Sequence, residues 1–178
     1  MPTSAPVQDW LRQRGAETVD HPGGTLYAHL CRVHDRLRGL GLGVDVQLAG
    51  LTHAAYGTDG FDVVLLDRAD RETLRALIGE TAERLVYRYG ACDRRRSWRH
   101  LADTRQVVDR FTGEVQTLGA AELRSFVDLC IVNELDVVEQ SPAIAERHGP
   151  YLRTLFASWA SLASPPVNAE ARRVLAAR

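Results

Sequence analysis

The sequence predicts a mainly α protein, a helical bundle with a small inserted β-hairpin. Three observations lead there. Apolar residues recur at helical spacing in at least five stretches, Gly and Pro clusters separate those stretches, and β-like alternation is confined to one short run, Val107 to Leu118. A chain of 178 residues is long enough to bury a core and reads as one domain, with core helices over 20–140 and terminal helices over 1–19 and 150–178.

The N-terminal Ser4 and Pro6 open an amphipathic helix with Val7, Trp10 and Leu11 on one face and Gly15 as its stop, placed to act as a lid or flap. His21-Pro22-Gly23-Gly24 reads as a loop, because proline holds the residue before it extended. Thr25 caps a helix to about Leu37, with Leu26, Leu30, Val33 and Leu37 as its stripe. His29 and His34 fall on opposite borders of that stripe.

The next helix, about Val44 to Tyr56, is apolar all round and therefore central, which puts His53 among small residues inside the core. Asp70 is expected to cap one long helix running to Gly90. The Arg94-to-His100 run is a basic knot with one aromatic, Trp98, and the hairpin of about 105–118 turns through Phe111-Thr112-Gly113-Glu114 and should lean on the helices. A helix from Ala120 to about Gln140 follows, and its wheel places Glu134 near the middle of the apolar face with Asn133 beside it. Pro150 leads into the next helix, and Ser164-Pro165-Pro166 starts the last.

Composition narrows the function. With 45% hydrophobic and 25% charged residues and a net charge of -1, the chain has no field to steer it to nucleic acid or to an anionic membrane. No apolar run reaches the length of a membrane span, and no signal-peptide order opens the chain, so a cytoplasmic setting is expected. Cys31, Cys92 and Cys130 are dispersed and suit neither a disulfide framework nor a thiolate zinc site. All 22 basic residues are arginine. Chemistry that needs a lysine, such as Schiff-base formation or pyridoxal-phosphate anchoring, is thereby excluded.

Four of the six histidines lie between His21 and Asp59. His29-Leu30-Cys31-Arg32-Val33 and, after a Gly-rich turn, Ala49-Gly50-Leu51-Thr52-His53 resemble the opening of the HD-domain superfamily, which shows H-x-x-R-V, a buried L-L-H-D and a later A-D-x-L. The resemblance implies an HD-domain-like helical bundle in which histidines and aspartates bind one or two metal ions for phosphoester hydrolysis or oxygen activation. Position by position, His29 corresponds to the first ligand and His53 to the histidine of the pair. Ala54 replaces the paired aspartate and Asn133 the late one. The Tyr56-to-Phe61 stretch resembles the region after the pair in alarmone synthetase/hydrolase proteins, which implies a catalytic role for Asp59.

The expected site therefore has His53, Glu134 and Asp59 as catalytic residues and His29, His53 and Glu134 as metal ligands, with His21 a further candidate. Tyr56, Thr58, Arg94 and Asn133 would bind substrate. One divalent metal (Fe, Mn or Zn) or none would serve; a dication in a core favours anionic ligands, so losing two aspartates disfavours a di-metal site. A buried carboxylate such as Glu134 needs a metal, a proton or a cationic partner. Equally, His53 can be a satisfied core histidine, the arginine run a solvated face, and Cys130 a small core hydrophobe. The function expected is that of an HD-like enzyme on a small anionic molecule, and the alternative is a metal-free ligand-binding or regulatory module with no nucleic-acid or membrane partner. His100 and His148 read as surface residues and His34 as a helix-flank residue.

Overall fold

The structure, a computed structural model, describes residues 4–176. The protein is mainly α, with two small antiparallel hairpins among the described residues. It packs as two compact units, Met1–Ala91 and Cys92–Arg178.

In the first unit, α1 (Ser4–Gln13) buries Val7 and Leu11, and Gly15 follows it at φ 79°. The stretch expected as a loop at His21 is instead a minimal hairpin, β1 (Asp20–His21) with β2 (Gly24–Thr25). Pro22 followed by Gly23 at φ 82° is the sequence a type II turn requires, and it closes the hairpin. Thr25 caps α2 (Leu26–Gly39), its side chain accepting from the Ala28 N–H at 3.2 Å. The helix expected to reach Tyr56 stops earlier. Helix α3 is Val44–Thr52, His53 is its C-cap, and a turn follows.

The long helix expected from Asp70 to Gly90 is two helices, α4 (Arg71–Ile78) and α5 (Glu80–Ala91). Gly79 lies between them at φ 89° and ψ 160°, a conformation outside the helical region that a residue with a Cβ rarely adopts. Continuous apolar spacing hid that break. Helix α3 packs on α2 and on α5, and Gly50 is where α2 comes close: a Cβ there would lie 2.3 Å from Leu37 Cδ1.

In the second unit, α6 (Arg94–Ser97) is capped by Asp93, a 3-10 turn spans Trp98–His100, and α7 (Leu101–Thr104) completes the knot. The hairpin is β3 (Gln106–Val108) with β4 (Val115–Thr117), and the Asp109 carboxylate accepts from the Phe111 and Thr112 N–H groups in its turn. It leans on the helices as expected, since Val107 and Val108 are buried and the Val108 N–H donates to Ser97 Oγ at 3.0 Å. Helix α8 (Ala120–Gln140) is buried on almost every side. Helix α9 (Pro142–Ser158) begins at Pro142, not after Pro150, because Ser141 caps it and Pro150 is accommodated inside. Helix α10 (Pro165–Ala176) is the last. No helix among the described residues is long and apolar enough to cross a membrane.

Candidate functional site

The first unit gathers three histidines. His29 on α2 and His53 at the end of α3 are 1% and 2% exposed, and their Nε2 atoms lie 3.3 Å apart. His53 Nδ1 is 2.8 Å from the Gly50 carbonyl oxygen. A carbonyl only accepts, so His53 carries its proton on Nδ1 and, when neutral, presents a bare Nε2 lone pair. His29 must then donate through Nε2–H. The α3 backbone thus sets the tautomer of one histidine and, through it, of the other.

Around this pair the packing is aromatic. The His21 ring stacks on His29 with centroids 4.0 Å apart and planes 24° apart, while Phe61 meets His21 edge-on at 5.5 Å. Tyr89 of α5 meets His53 edge-on at 5.0 Å. Arg32, one turn past His29, donates to the Pro22 carbonyl at 3.2 Å and to the Gly23 carbonyl at 3.5 Å, which ties the hairpin tip to α2. Asp59 is half-buried, two residues from Phe61 in a turn closed by the Thr58–Phe61 backbone pair, and Thr58 is buried.

Tyr56 is tied to a buried carboxylate. Its hydroxyl donates to Glu83 Oε1 at 2.8 Å, and burial followed by that carboxylate pushes its pKa well above the usual phenol range. Glu83 is completely buried and also receives Arg71 Nε at 2.7 Å and Arg71 Nη2 at 2.9 Å. A buried carboxylate held by a two-pronged guanidinium and a phenol is charge-compensated. This network joins the turn after His53 to α4 and α5.

Glu134, Asn133 and Arg94 come together in the second unit. Arg94 Nη1 donates to Glu134 Oε1 at 2.9 Å, and Asn133 Nδ2 donates to the same oxygen at 3.0 Å. Glu134 is half-buried rather than central, because α8 has no single apolar face, and Asp128, Asn133 and Asp136 are more deeply buried than it is. Its cationic partner is an arginine. Cys130 is fully enclosed, and burial raises its thiol pKa well above the ordinary value, which is the behaviour of a core residue. His34 is buried on the flank of α2 beside Asp35, whereas His100 and His148 are exposed.

A metal places demands that can be compared with these positions. Two imidazole nitrogens bound to one tetrahedral zinc stand about 3.3 Å apart, given Zn–N bonds of about 2.0–2.1 Å. His29 and His53 match that spacing. His21 stacks on His29 with ring planes 24° apart. Among the described residues, no group of three or more His, Cys, Asp or Glu is arranged to hold a metal ion. The donor set fits two ligands of a metal and does not fit a complete shell.

A family model described as Domain of unknown function (DUF6817) matches residues 10–94. No curated protein and no solved structure matches the chain. The matched residues hold the whole histidine cluster and the Glu83 network.

Sequence reasoning passed over Glu83 and Arg71, and took Tyr89 as a core-facing residue only. A signal was there: Glu83, Val86 and Tyr89 are three apart on α5, so a wheel of that helix alone sets a carboxylate on the buried side. Reading α4 and α5 as one helix obscured it.

Proposed function

We propose that the first unit is a proton-transfer site, built on a scaffold of HD-domain type and acting on a small anionic molecule. The observation that carries this reading is the His29–His53 pair, two buried imidazoles joined Nε2 to Nε2 with one tautomer set by a backbone carbonyl. Such a pair can take up one proton and keep its hydrogen bond, which is what a general acid/base requires. Arg32 and the imidazolium form of the pair supply positive charge for an anionic substrate. His21 and the Pro22-Gly23 tip form the roof, so substrate enters when that tip moves. Asp59 stands on the turn beside the roof and is placed to assist in orienting substrate. The pair acts without a metal, because the described residues bring together two imidazole ligands and not a complete set.

The test is a panel of small phosphorylated and carboxylated compounds offered to metal-stripped protein, to His29→Ala and to His53→Ala. Turnover without added metal, lost by about 100-fold or more in both variants, is expected from general acid/base catalysis. Turnover that appears only when a divalent cation is restored would overturn the metal-free assignment.

The near-complete burial of both histidines favours a second reading, a ligand-binding module without catalysis. In that case the same panel gives thermal stabilisation of the protein that the histidine variants weaken, and no turnover with any compound.

A further inference from the structure

The basic knot of the second unit has a use that the histidine pair does not absorb. Arg94, Arg95, Trp98, Arg99 and Tyr151 line a cleft of about 420 Å³. Its lining contains three guanidinium groups and no carboxylate residue. Arg94 is committed to Glu134 and covers the Trp98 ring face at 4.6 Å. By contrast, Arg95 and Arg99 are exposed and make no ion pair among the described residues. Arg99 lies 6.0 Å from the centroid of the Tyr151 ring, which is 40% exposed.

Trp98 supplies a reporter in the wall of the same cleft. Trp98 is 95% buried, and its indole N–H is shielded from water with no acceptor among the described residues. Buried indole N–H groups ordinarily find a partner. The side chains that line the cleft offer guanidinium donors and ring faces to an oxyanion entering it. Guanidinium groups bind such oxygens in pairs, and the half-exposed tyrosine supplies a flat apolar wall next to them.

We infer that this cleft is a binding site for a small organic oxyanion, a phosphate or carboxylate attached to a planar ring. Arg95 and Arg99 hold the anion, Tyr151 stacks on the ring, and Trp98 reports occupancy through its indole N–H. The site lies wholly within the second unit and stands independently of the histidine reading.

Phenyl phosphate is the probe, with inorganic phosphate and phenol as comparisons and benzoate to separate carboxylate from phosphate. The whole protein is labelled with ¹⁵N, and the indole resonance of Trp98 is assigned from a Trp98→Phe variant. Saturable movement of the Trp98 indole peak, without movement of the Trp10 peak, is expected with phenyl phosphate or benzoate. Affinity should fall about tenfold or more in Arg95→Gln/Arg99→Gln, in line with loss of charge-assisted hydrogen bonds, and less in Tyr151→Ala. Arg38→Gln, an exposed change in the first unit, should leave affinity unchanged. Arg38, Arg95, Arg99 and Tyr151 are exposed, and a thermal melt verifies that each variant, Trp98→Phe included, is folded. The inference is overturned if the arginine pair can be removed without loss of affinity, if phenol binds as well as phenyl phosphate, or if inorganic phosphate does so and the ring has no part.

Discussion

The hydrogen bond from His53 Nδ1 to the Gly50 carbonyl decides which face of the imidazole is chemically available, and that information is absent from the letters alone. Sequence placed His53 inside the core and His29 on the border of a buried stripe; the 3.3 Å meeting of their Nε2 atoms depends on how α2 and α3 cross. Glu134 was legible as a carboxylate needing a partner, but the partner comes from 40 residues earlier in sequence and could not be named from spacing. Asp128 offers a prediction at this scale. Burial, opposed by hydrogen bonds from the Ser164 N–H and hydroxyl, raises its pKa above the usual carboxylate value. The folded state therefore binds its proton more tightly than the unfolded state, and the linked stability is lost as pH rises from the unfolded value of about 3.9 through the raised folded one. Asp128→Asn, which keeps an acceptor for Ser164 and carries no charge, should gain melting temperature relative to the parent as pH goes from 4 to 7. A difference independent of pH would disprove the assignment.

Elements were read well where one apolar stripe and a capping residue coincided. Helix α2 with its Thr25 cap is the clearest case, whereas α8, buried on almost every side, was bounded by the breaks at Gly119 and Ser141. Boundaries failed where a single backbone conformation mattered more than periodicity, as at Gly79, or where a proline is tolerated within a helix, as at Pro150. Close approach of elements was likewise hidden. Gly90 of α5 faces the turn after His53, and a Cβ there would lie 2.9 Å from the Gly57 carbonyl oxygen and 3.4 Å from Tyr56 Cβ. Alanine would improve helix propensity by up to about 1 kcal/mol. The clash is with backbone, so displacement of the turn should dominate and cost about 1–3 kcal/mol net, the range of overpacked cores. Thermal denaturation of Gly90→Ala checks this, and an unchanged or raised melting temperature would show that the turn yields freely. The same substitution should shift the ring resonances of Tyr89 and His53, which sit immediately beside it.

The whole molecule divides at Ala91, and the family match over residues 10–94 ends close to the same place. The first unit has its own core, its own buried ion network and the complete histidine cluster. Residues 1–93 expressed alone are therefore expected to show helical circular dichroism and a cooperative melt, as domains of this size commonly do. A gradual, featureless melt would show that the second unit is needed for folding. Nothing in the apolar pattern marked this division, because helical stripes run on both sides of it without a linker. Stability within the first unit is also unevenly spread. The roof over His29 consists of two paired residues on each strand, Asp20–Thr25 and His21–Gly24, beside helices whose apolar faces are fully enclosed. So short a ladder opens without disturbing the core, and its amide protons should exchange with solvent orders of magnitude faster than those of α2. Exchange rates would then time how often the buried histidines become reachable from solvent.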